Sequence, residues 1–334
     1  MPKIQFIKHK LNPIIPRTPN TFYSKYSANP DLLEFQGKYF FYFRGQNEKG
    51  ADQIGVGYTH IDKFDGINWI VPDENPIIPI SSDPSAFDSG YILDPAAIVI
   101  NGKVHLYYTA HRSDWQSWNI PSHIGLAISD DGFHFKKSTH NPLIVGMAPE
   151  IVFHNNRFYL FFQKFESDGR LHIFCCPSDD GLHFNEKNQQ KVFSPFVVPN
   201  SFDCYSISTV RIWREKDRYF MTYGGCNRYI DYPIAFGLAR SKDLMHWERY
   251  PHNPILERGT AGEWDEGAIW FATVFKKDDV HYLWYEGNGT GLGVSDEHAR
   301  QASSECRDQD YGGYGINSFS QIGLATFMGD ICQW

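Results

Sequence analysis

The 334-residue sequence predicts an all-β fold, a five-bladed β-propeller that closes by joining its N- and C-terminal segments in one blade. Three observations lead to this prediction. An alternating apolar phrase recurs five times, a second phrase ending in Trp or Phe follows each copy, and an Asn-Pro segment missing after the last copy is present near the N-terminus. We expect residues 1–334 to form a single domain.

The alternating phrase predicts a β-hairpin. It is clearest in "NPDLLEFQGKYFFYFRG" from Asn29, "DPAAIVINGKVHLYYTA" from Asp94 and "APEIVFHNNRFYLFF" from Ala148. The second strands of the five copies are aromatic: "YFFYF", "VHLYY", "FYLFF", "YFMTY" and "HYLWY". Alternation over four to eight residues is typical of half-buried strands, so each copy supplies two of them.

The second phrase predicts the outer part of each repeat. Its copies, from "IGVGYTHIDKFDGINW" to "IGLATFMGDICQW", end at Trp69, Phe135, Phe184, Trp247 and Trp334. Asp-Gly between apolar runs is a hairpin-turn signal, so each repeat reads as four short antiparallel strands. Four-stranded sheets around a central channel are the blades of a propeller.

The Asn-Pro segments predict how the chain closes. "NPIIP" at Asn75, "NPLI" at Asn141 and "NPIL" at Asn253 follow the second phrase, but the fifth repeat stops at Trp334. The missing segment is "NPIIP" at Asn12. A ring that joins its termini produces this distribution and removes exposed sheet edges.

Composition limits the function classes. A formal charge of -8 argues against nucleic acid or an anionic membrane as the main partner. No apolar stretch approaches the roughly 18–20 residues of a membrane span, and the N-terminus does not resemble a secretion signal. The six cysteines lack paired CxxC spacing, so we expect reduced thiols in a cytoplasmic protein. The oligomeric state stays open.

Candidate site residues lie at the mouths of the hairpins. Aligned by their turns, Asn29, Asp94 and Ala148 share one position. Because alternate residues share a strand face, the residues two positions later should converge around the channel mouth. These are Asp31, Ala96, Glu150 and, in the fourth repeat, Arg211.

Other polar and aromatic residues are expected on the same side, at strand ends and in the loops that follow second strands. They are Arg44, Trp115, Trp118, Asp265, Glu266 and Glu286. Carboxylates with flat aromatic rings suit a sugar, whose apolar face stacks on a ring. Glycoside cleavage commonly uses two carboxyl groups, one donating a proton to the leaving oxygen while the other attacks or activates water. A purely structural role is also open for Asp94, because an aspartate before Pro95 also suits a turn.

Other chemistries find no support in the motifs. HExxH, GxSxG and P-loop patterns are absent, and the fourteen histidines form no evident metal cluster. We therefore expect no cofactor and no metal, with an oligosaccharide or glycoside as the substrate.

The quoted motifs resemble the five-bladed propeller glycosidases, that is glycoside hydrolase families 32, 43 and 68 and family 130 with its mannoside phosphorylases. Families 32 and 43 begin the first two blades with Asp-Pro, which this chain keeps only at Asp94. Family 130 fits better: it begins blade one with Asn-Pro, ends that hairpin with Arg and has Pro-Glu in blade three. Asn29, Arg44 and Glu150 match these positions.

The resemblance implies roles for these residues. Asp94 would be the general acid, Glu150, Glu286 or Asp31 the base, and Arg211 would orient a hydroxyl or an acid. A proton donor working near pH 7 requires a raised pKa. Phosphorylases of the family bind phosphate where this chain has Gln163 and Glu286, so the resemblance implies hydrolysis. A phosphorylase, a transglycosidase and a non-catalytic carbohydrate-binding propeller remain alternatives.

Overall fold

The structure, a computed structural model, describes residues 3–115, 120–289 and 319–334. Regular structure in these residues is almost entirely β-strand, which confirms the all-β prediction; short 3-10 helices occur at Ile61–Lys63, Glu186–Asn188 and Ile331–Gln333. The strands, in chain order, are β1 (Ile7–Lys8), β2 (Tyr26–Phe35), β3 (Lys38–Gln46), β4 (Asp52–His60), β5 (Tyr91–Ile100), β6 (Lys103–His111), β7 (His123–Ser129), β8 (Phe135–Lys137), β9 (Ile144–Val145), β10 (Met147–His154), β11 (Arg157–Phe165), β12 (Leu171–Ser178), β13 (Gln190–Phe193), β14 (Ser206–Glu215), β15 (Arg218–Cys226), β16 (Ala235–Ser241), β17 (Glu248–Arg249), β18 (Leu256–Glu257), β19 (Ala268–Lys277), β20 (Val280–Gly289) and β21 (Phe319–Met328).

Two-residue turns join the long strands of the predicted hairpins. Between β2 and β3, Gln36 and Gly37 have φ values of 45° and 75°. Between β5 and β6, Asn101 and Gly102 have values of 50° and 75°. Positive φ at both central residues defines a type I′ turn, whose twist matches that of the flanking strands and therefore fixes the hairpin register.

Hydrogen bonding arranges the described strands in four sheets. Their orders are β1-β21-β20-β19, β10-β11-β12-β13, β14-β15-β16-β17 with β18 also on β16, and β2 to β8 consecutively with β9 also on β7. In the last sheet, β4 meets β5 through a single parallel residue pair, Asp52 with Tyr91, whereas all its other pairings are antiparallel. Five separate blades and a closed ring therefore stay predictions.

The two ends of the chain meet in one sheet. In β1, Ile7 and Lys8 pair with Thr326 and Ala325 of β21. The side-chain amide of Asn12 accepts from the main-chain N–H of Leu324 at 2.8 Å and donates to its carbonyl at 2.9 Å. Asn75, Asn141 and Asn253 make the same pair of bonds to Val56, Leu126 and Leu238. The N-terminal Asn-Pro segment thus makes to β21 the same pair of hydrogen bonds that each other Asn-Pro segment makes to a strand close to it in sequence.

The chain divides into two compact units. The N-terminal unit comprises Pro16–Phe162 and Cys176–Gln190, and the C-terminal unit comprises Met1–Ile15, Gln163–Cys175 and Lys191–Trp334. Each has its own apolar core, with Phe40, Tyr42 and Tyr108 in the first and Phe220, Phe236 and Tyr285 in the second. A single domain over residues 1–334 stays a prediction.

Two further observations concern the described residues only. Cys175, Cys176, Cys204, Cys226 and Cys332 are free thiols. No helix in this part of the chain has the length and apolar character needed to cross a membrane.

Candidate active site

The first strand of each long hairpin carries the same backbone irregularity. One residue in each has positive φ: Asn29 (47°), Asp94 (58°), Ala148 (52°), Thr209 (33°) and Phe271 (52°). In four of these strands the pairing register shifts at that residue, as a β-bulge requires. Positive φ strains residues other than glycine, especially bulky or β-branched ones, and such strain concentrates at functional sites.

The bulges fix which residues are equivalent. Two positions beyond them lie Asp31, Ala96, Glu150, Arg211 and Thr273. The first four are the residues that the alignment of hairpin turns predicted to be equivalent. In the fifth repeat the equivalent residue is Thr273, not Asp265 or Glu266, because the bulge lies inside β19 and both acids precede that strand.

Three of the buried carboxyl groups in the N-terminal unit lie at, or two residues beyond, the positive-φ residues of neighbouring strands. Asp31, Asp94 and Glu150 are 6%, 5% and 8% exposed. Their strands pack in sequence, β2 against β5 and β5 against β10. Asp31 reaches the adjacent strand, where its Oδ2 accepts a 2.7 Å hydrogen bond from the main-chain N–H of Ala97. Acidic side chains are rarely buried unless their charge is used or compensated, so this set is the strongest chemical feature of the unit.

Asp31 is also electrostatically coupled to the core. It lies opposite Tyr42 in the β2–β3 register. Burial is the largest cause that raises the pKa of the Tyr42 hydroxyl well above its usual value, and the negative charge of Asp31 is the second. The phenol therefore remains protonated and donates to the carbonyl of Gly132 at 3.1 Å.

Arg44 is held in a buried ion pair at the end of β3. Its Nε lies 2.5 Å from Oδ1 of Asp52, and the amide of Gln46 donates to Oδ2 at 2.7 Å. Burial raises the pKa of Asp52, and the guanidinium of Arg44 acts against that rise. An acid that sequence reasoning did not single out thus orients the predicted substrate-binding arginine.

The predicted aromatic platform is partly enclosed. Trp115 is 6% exposed, lies 4.4 Å from the His111 ring between centroids and donates from Nε1 to the carbonyl of Ile120 at 3.1 Å. Burial lowers the pKa of His111 to about 3, so this ring is neutral at pH 7. Trp118 lies outside the described residues. Stacking of a sugar on either tryptophan stays a prediction.

Arg211 belongs to the C-terminal unit and is 3% exposed. Its Nε donates to Oγ1 of Thr273 at 3.2 Å, and its guanidinium lies over the Phe271 ring at 4.8 Å. The residue therefore bridges the bulges of β14 and β19. Arginine on an aromatic face gains cation–π attraction where it is desolvated.

A buried acid that sequence reasoning missed supports this arrangement. Asp231, 6% exposed, accepts a short hydrogen bond from the Ser208 hydroxyl. Burial raises its pKa, and hydrogen bonds from Ser208 and Gln163 act against that rise. Gln163 in turn accepts from the main-chain N–H of Thr209 at 2.9 Å. Asp231 lies in the polar segment "CNRYIDYP", and the sequence of that segment does not indicate that the aspartate is buried.

The predicted acids Glu286 and Glu266 have different surroundings. Glu286, 2% exposed, accepts from the Ser320 hydroxyl of β21 at 2.5 Å. Glu266, 3% exposed, accepts from the main-chain N–H of Gly262 at 2.6 Å. The first lies within a sheet, and the second holds the loop that precedes β19.

Asp265 has the surroundings of a structural residue. It forms a 2.7 Å ion pair with Lys8 and accepts from the Tyr285 hydroxyl at 2.8 Å. Asp203 is bound in the same way by Arg249 and Tyr223, and Asp88 by Lys137 and Tyr108. Asp265 belongs to this recurrent interaction, and its contact with substrate stays a prediction.

Among the described residues, no group of three or more His, Cys, Asp or Glu side chains could hold a metal ion.

Comparisons with known proteins identify the fold. No family model matches the chain, and no curated protein sequence is similar to it. Solved structures are similar over nearly the whole length. An N-acetylgalactosamine deacetylase from F. plautii, in complex with blood group B trisaccharide, has 14% identity and a TM-score of 0.68, covering 97% of this chain and 95% of its own.

Two other structures are comparably similar. The β-1,2-mannobiose phosphorylase from Listeria innocua has 14% identity and a TM-score of 0.67, covering 97% of this chain and 96% of its own. A glycosyl hydrolase from Bacteroides ovatus has 16% identity and a TM-score of 0.66, covering 97% and 93%. At such identities the likeness establishes an all-β propeller-type fold and nothing finer.

Proposed function

We propose that this chain is a carbohydrate-active enzyme, specifically a glycoside hydrolase that cleaves an oligosaccharide by carboxylic acid and base catalysis. The observation that carries the proposal is the set of three buried carboxyl groups, Asp31, Asp94 and Glu150, on three neighbouring strands that each contain a positive-φ residue. Two carboxyl groups suffice for glycoside cleavage, and the strands that carry these three pack against one another. The solved structures of similar fold that act on sugars support the same class.

The proposal includes a five-bladed propeller. A positive-φ residue recurs in the first strand of five long hairpins, and the two hairpins that share one sheet are joined through the residue pair Asp52 and Tyr91. Asn12 accepts a hydrogen bond from the main chain of β21 in the same way that Asn253 accepts one from the main chain of β16. These features favour five blades with the two chain ends sharing one of them.

Within this proposal Asp94 is the general acid. It is the one residue of the set that lies on a bulge, where positive φ orients its side chain differently from its neighbours on the strand. Glu150 or Asp31 then serves as the base or nucleophile. The main-chain donor of Ala97 stabilises the ionised form of Asp31, which suits a group that must be negatively charged. Arg211, Arg44, Asn29, Glu266 and Glu286 remain proposed substrate contacts.

Hydrolysis is favoured over phosphorolysis by the side chains at the two positions that bind phosphate in the resembled family. Glu286 is acidic and would repel phosphate. Gln163 is neutral, and its amide is occupied by the N–H of Thr209 and by Asp231. The similarity to a mannobiose phosphorylase keeps phosphorolysis as the second candidate.

A panel of aryl glycosides (manno, arabino, fructo, gluco and galacto) tests the proposal, each with and without inorganic phosphate. Release in plain buffer supports a hydrolase, whereas release only with phosphate supports the second candidate. Asp94→Asn should lower the rate by about 10²–10⁴-fold, and the exposed Asp62→Asn should leave it unchanged. Full activity in Asp94→Asn would reject the assignment.

A further inference from the structure

A surface cavity of the N-terminal unit lies apart from the carboxyl groups of the proposed site. Its volume is about 500 Å³, within the range of small-molecule sites. Three aromatic rings, those of Tyr58, Phe133 and Phe135, line it together with Pro76. Two exposed polar residues, Glu74 and His134, also line it, as do Val56, Pro72, Asn75 and Ile77. We refer to the cavity lined by these ten residues as the Phe133 groove.

The aromatic rings of the groove are held firmly. Phe133 packs edge-on against Tyr58 with 5.3 Å between centroids and against Phe40 at 5.0 Å. Phe135 packs edge-on against Tyr42 at 5.8 Å. Because their partners belong to strands β3 and β4, the rings form a rigid apolar surface before any ligand arrives.

The polar groups retain capacity for hydrogen bonds. In the described part of the chain, neither the Glu74 carboxylate nor the Tyr58 hydroxyl has a hydrogen-bond partner. His134 uses Nδ1 on Asp131 at 2.7 Å, which leaves its second nitrogen for a ligand. The groove therefore combines an apolar wall with the Glu74 carboxylate as an acceptor, the Tyr58 hydroxyl as a donor, and the second ring nitrogen of His134, which accepts when the ring is neutral and donates when it is protonated.

The aromatic wall is specific to this repeat. The Asp–His contact of the turn recurs in the next two repeats, between Asp180 and His183 and between Asp243 and His246, each at 2.7 Å. The position of Phe133, however, holds Leu182 and Met245 there. The turn is thus a structural element of the repeat, whereas the partly exposed Phe133 ring is not required by it.

We propose that the Phe133 groove is a second carbohydrate-binding site, which takes one ring of a neutral oligosaccharide. A pyranose presents an apolar C–H face that an aromatic wall covers, and hydroxyls that Glu74, Tyr58 and His134 bind. Glu74 and Asp131 give the groove negative charge, which disfavours uronic acids and other anionic sugars. The inference shares its substrate class with the proposed function but requires no turnover.

Isothermal titration tests the inference with β-1,2-mannobiose, cellobiose and lactose as neutral probes and digalacturonic acid as the acidic probe. The titrated protein carries Asp94→Asn to prevent turnover. We expect one neutral probe to occupy two sites, with Glu74→Gln weakening one of them about fivefold or more and Phe133→Ala about tenfold or more. Asp73→Asn, an exposed acid beside Glu74 that does not line the groove, is the matched control and should stay within about twofold.

The outcomes separate the two proposals. Absence of a second site for all neutral probes up to about 10 mM would overturn the inference, as would tighter binding of digalacturonic acid. Equal binding by Glu74→Gln, Tyr58→Phe and the control would also overturn it, even if Phe133→Ala fails to fold. Turnover of aryl glycosides without groove binding rejects the groove alone. Groove binding without any turnover by the unmutated protein rejects the proposed hydrolase alone.

Discussion

Asn12 provides a sharp test of how the N-terminal segment completes the last sheet. Asn12→Ala removes the bonds of 2.8 Å and 2.9 Å to the main chain of Leu324, a residue that is 1% exposed. An unsatisfied buried N–H or C=O costs about 1–3 kcal/mol. Because Asn12 is only half-buried, water compensates part of the loss, and we expect the free energy of unfolding to fall by about 2–4 kcal/mol.

Urea unfolding, followed by tryptophan fluorescence, measures this change. Asn253→Ala removes the equivalent bonds to Leu238 and should cost about the same, although its partner lies 15 residues away and that of Asn12 lies 312 away. Lys10→Ala, an exposed change in the same segment, should stay within about 0.5 kcal/mol. If Asn12→Ala behaves like Lys10→Ala while Asn253→Ala is destabilised, the N-terminal segment does not hold β21 as described.

Three further predictions concern stability and the proposed site. Burial raises the pKa of Glu215, but hydrogen bonds from His281 and its neighbours outweigh this and hold the pKa at about 2. The ionised Glu215 carboxylate should stabilise the fold fully above about pH 4.5, and this stabilisation should be lost as the pH falls through about 2. With allowance for solvent screening, Glu215→Gln should therefore lower the free energy of unfolding by about 1–2 kcal/mol at pH 7. At about pH 2 it should change that free energy very little. Gly55→Ala places a Cβ 2.0 Å from Cζ of Phe22 and should cost about 1–3 kcal/mol in urea unfolding. Asp231→Asn, which keeps the shape but changes the charge, should lower kcat by about tenfold with little change in KM, since it acts through the bulge at the C-terminal unit and not on bound substrate.

Each of these predictions has a contradicting result. If Glu215→Gln lowers the free energy of unfolding equally at pH 2 and pH 7, the charge of the Glu215 carboxylate does not stabilise the fold. Wild-type stability in Gly55→Ala would mean that Phe22 moves freely away from β4. A rise in KM alone for Asp231→Asn would indicate direct contact with substrate instead of a positioning role.

Much of the fold could be predicted because its signals are local and repeated. Alternation, turn residues and the Asn-Pro segments each act within a few residues, and they predicted the hairpins and the role of Asn12. Alignment of the turns placed Asn29, Asp94 and Ala148 in register, and all three have positive φ, although the bulges themselves were not predicted. The equivalent residue of the fifth repeat, Phe271, was not included in that alignment.

Contacts between distant segments could not be predicted in the same way. Asp231 becomes buried only because Ser208 and Gln163 come from other strands. Arg44 was singled out, but its partner Asp52 lies on the next strand in a polar turn region that sequence alone leaves exposed. Trp115 looked like a platform in an irregular loop, whereas packing against His111 encloses it.

The most direct test of the central claim is the rate of glycoside hydrolysis by Asp94→Asn beside the unmutated protein, with Asp62→Asn as the control and no phosphate present. We predict turnover in the unmutated protein and the control, and a loss of about 10²–10⁴-fold in Asp94→Asn with the fold preserved by circular dichroism. Equal rates in all three proteins would contradict the account.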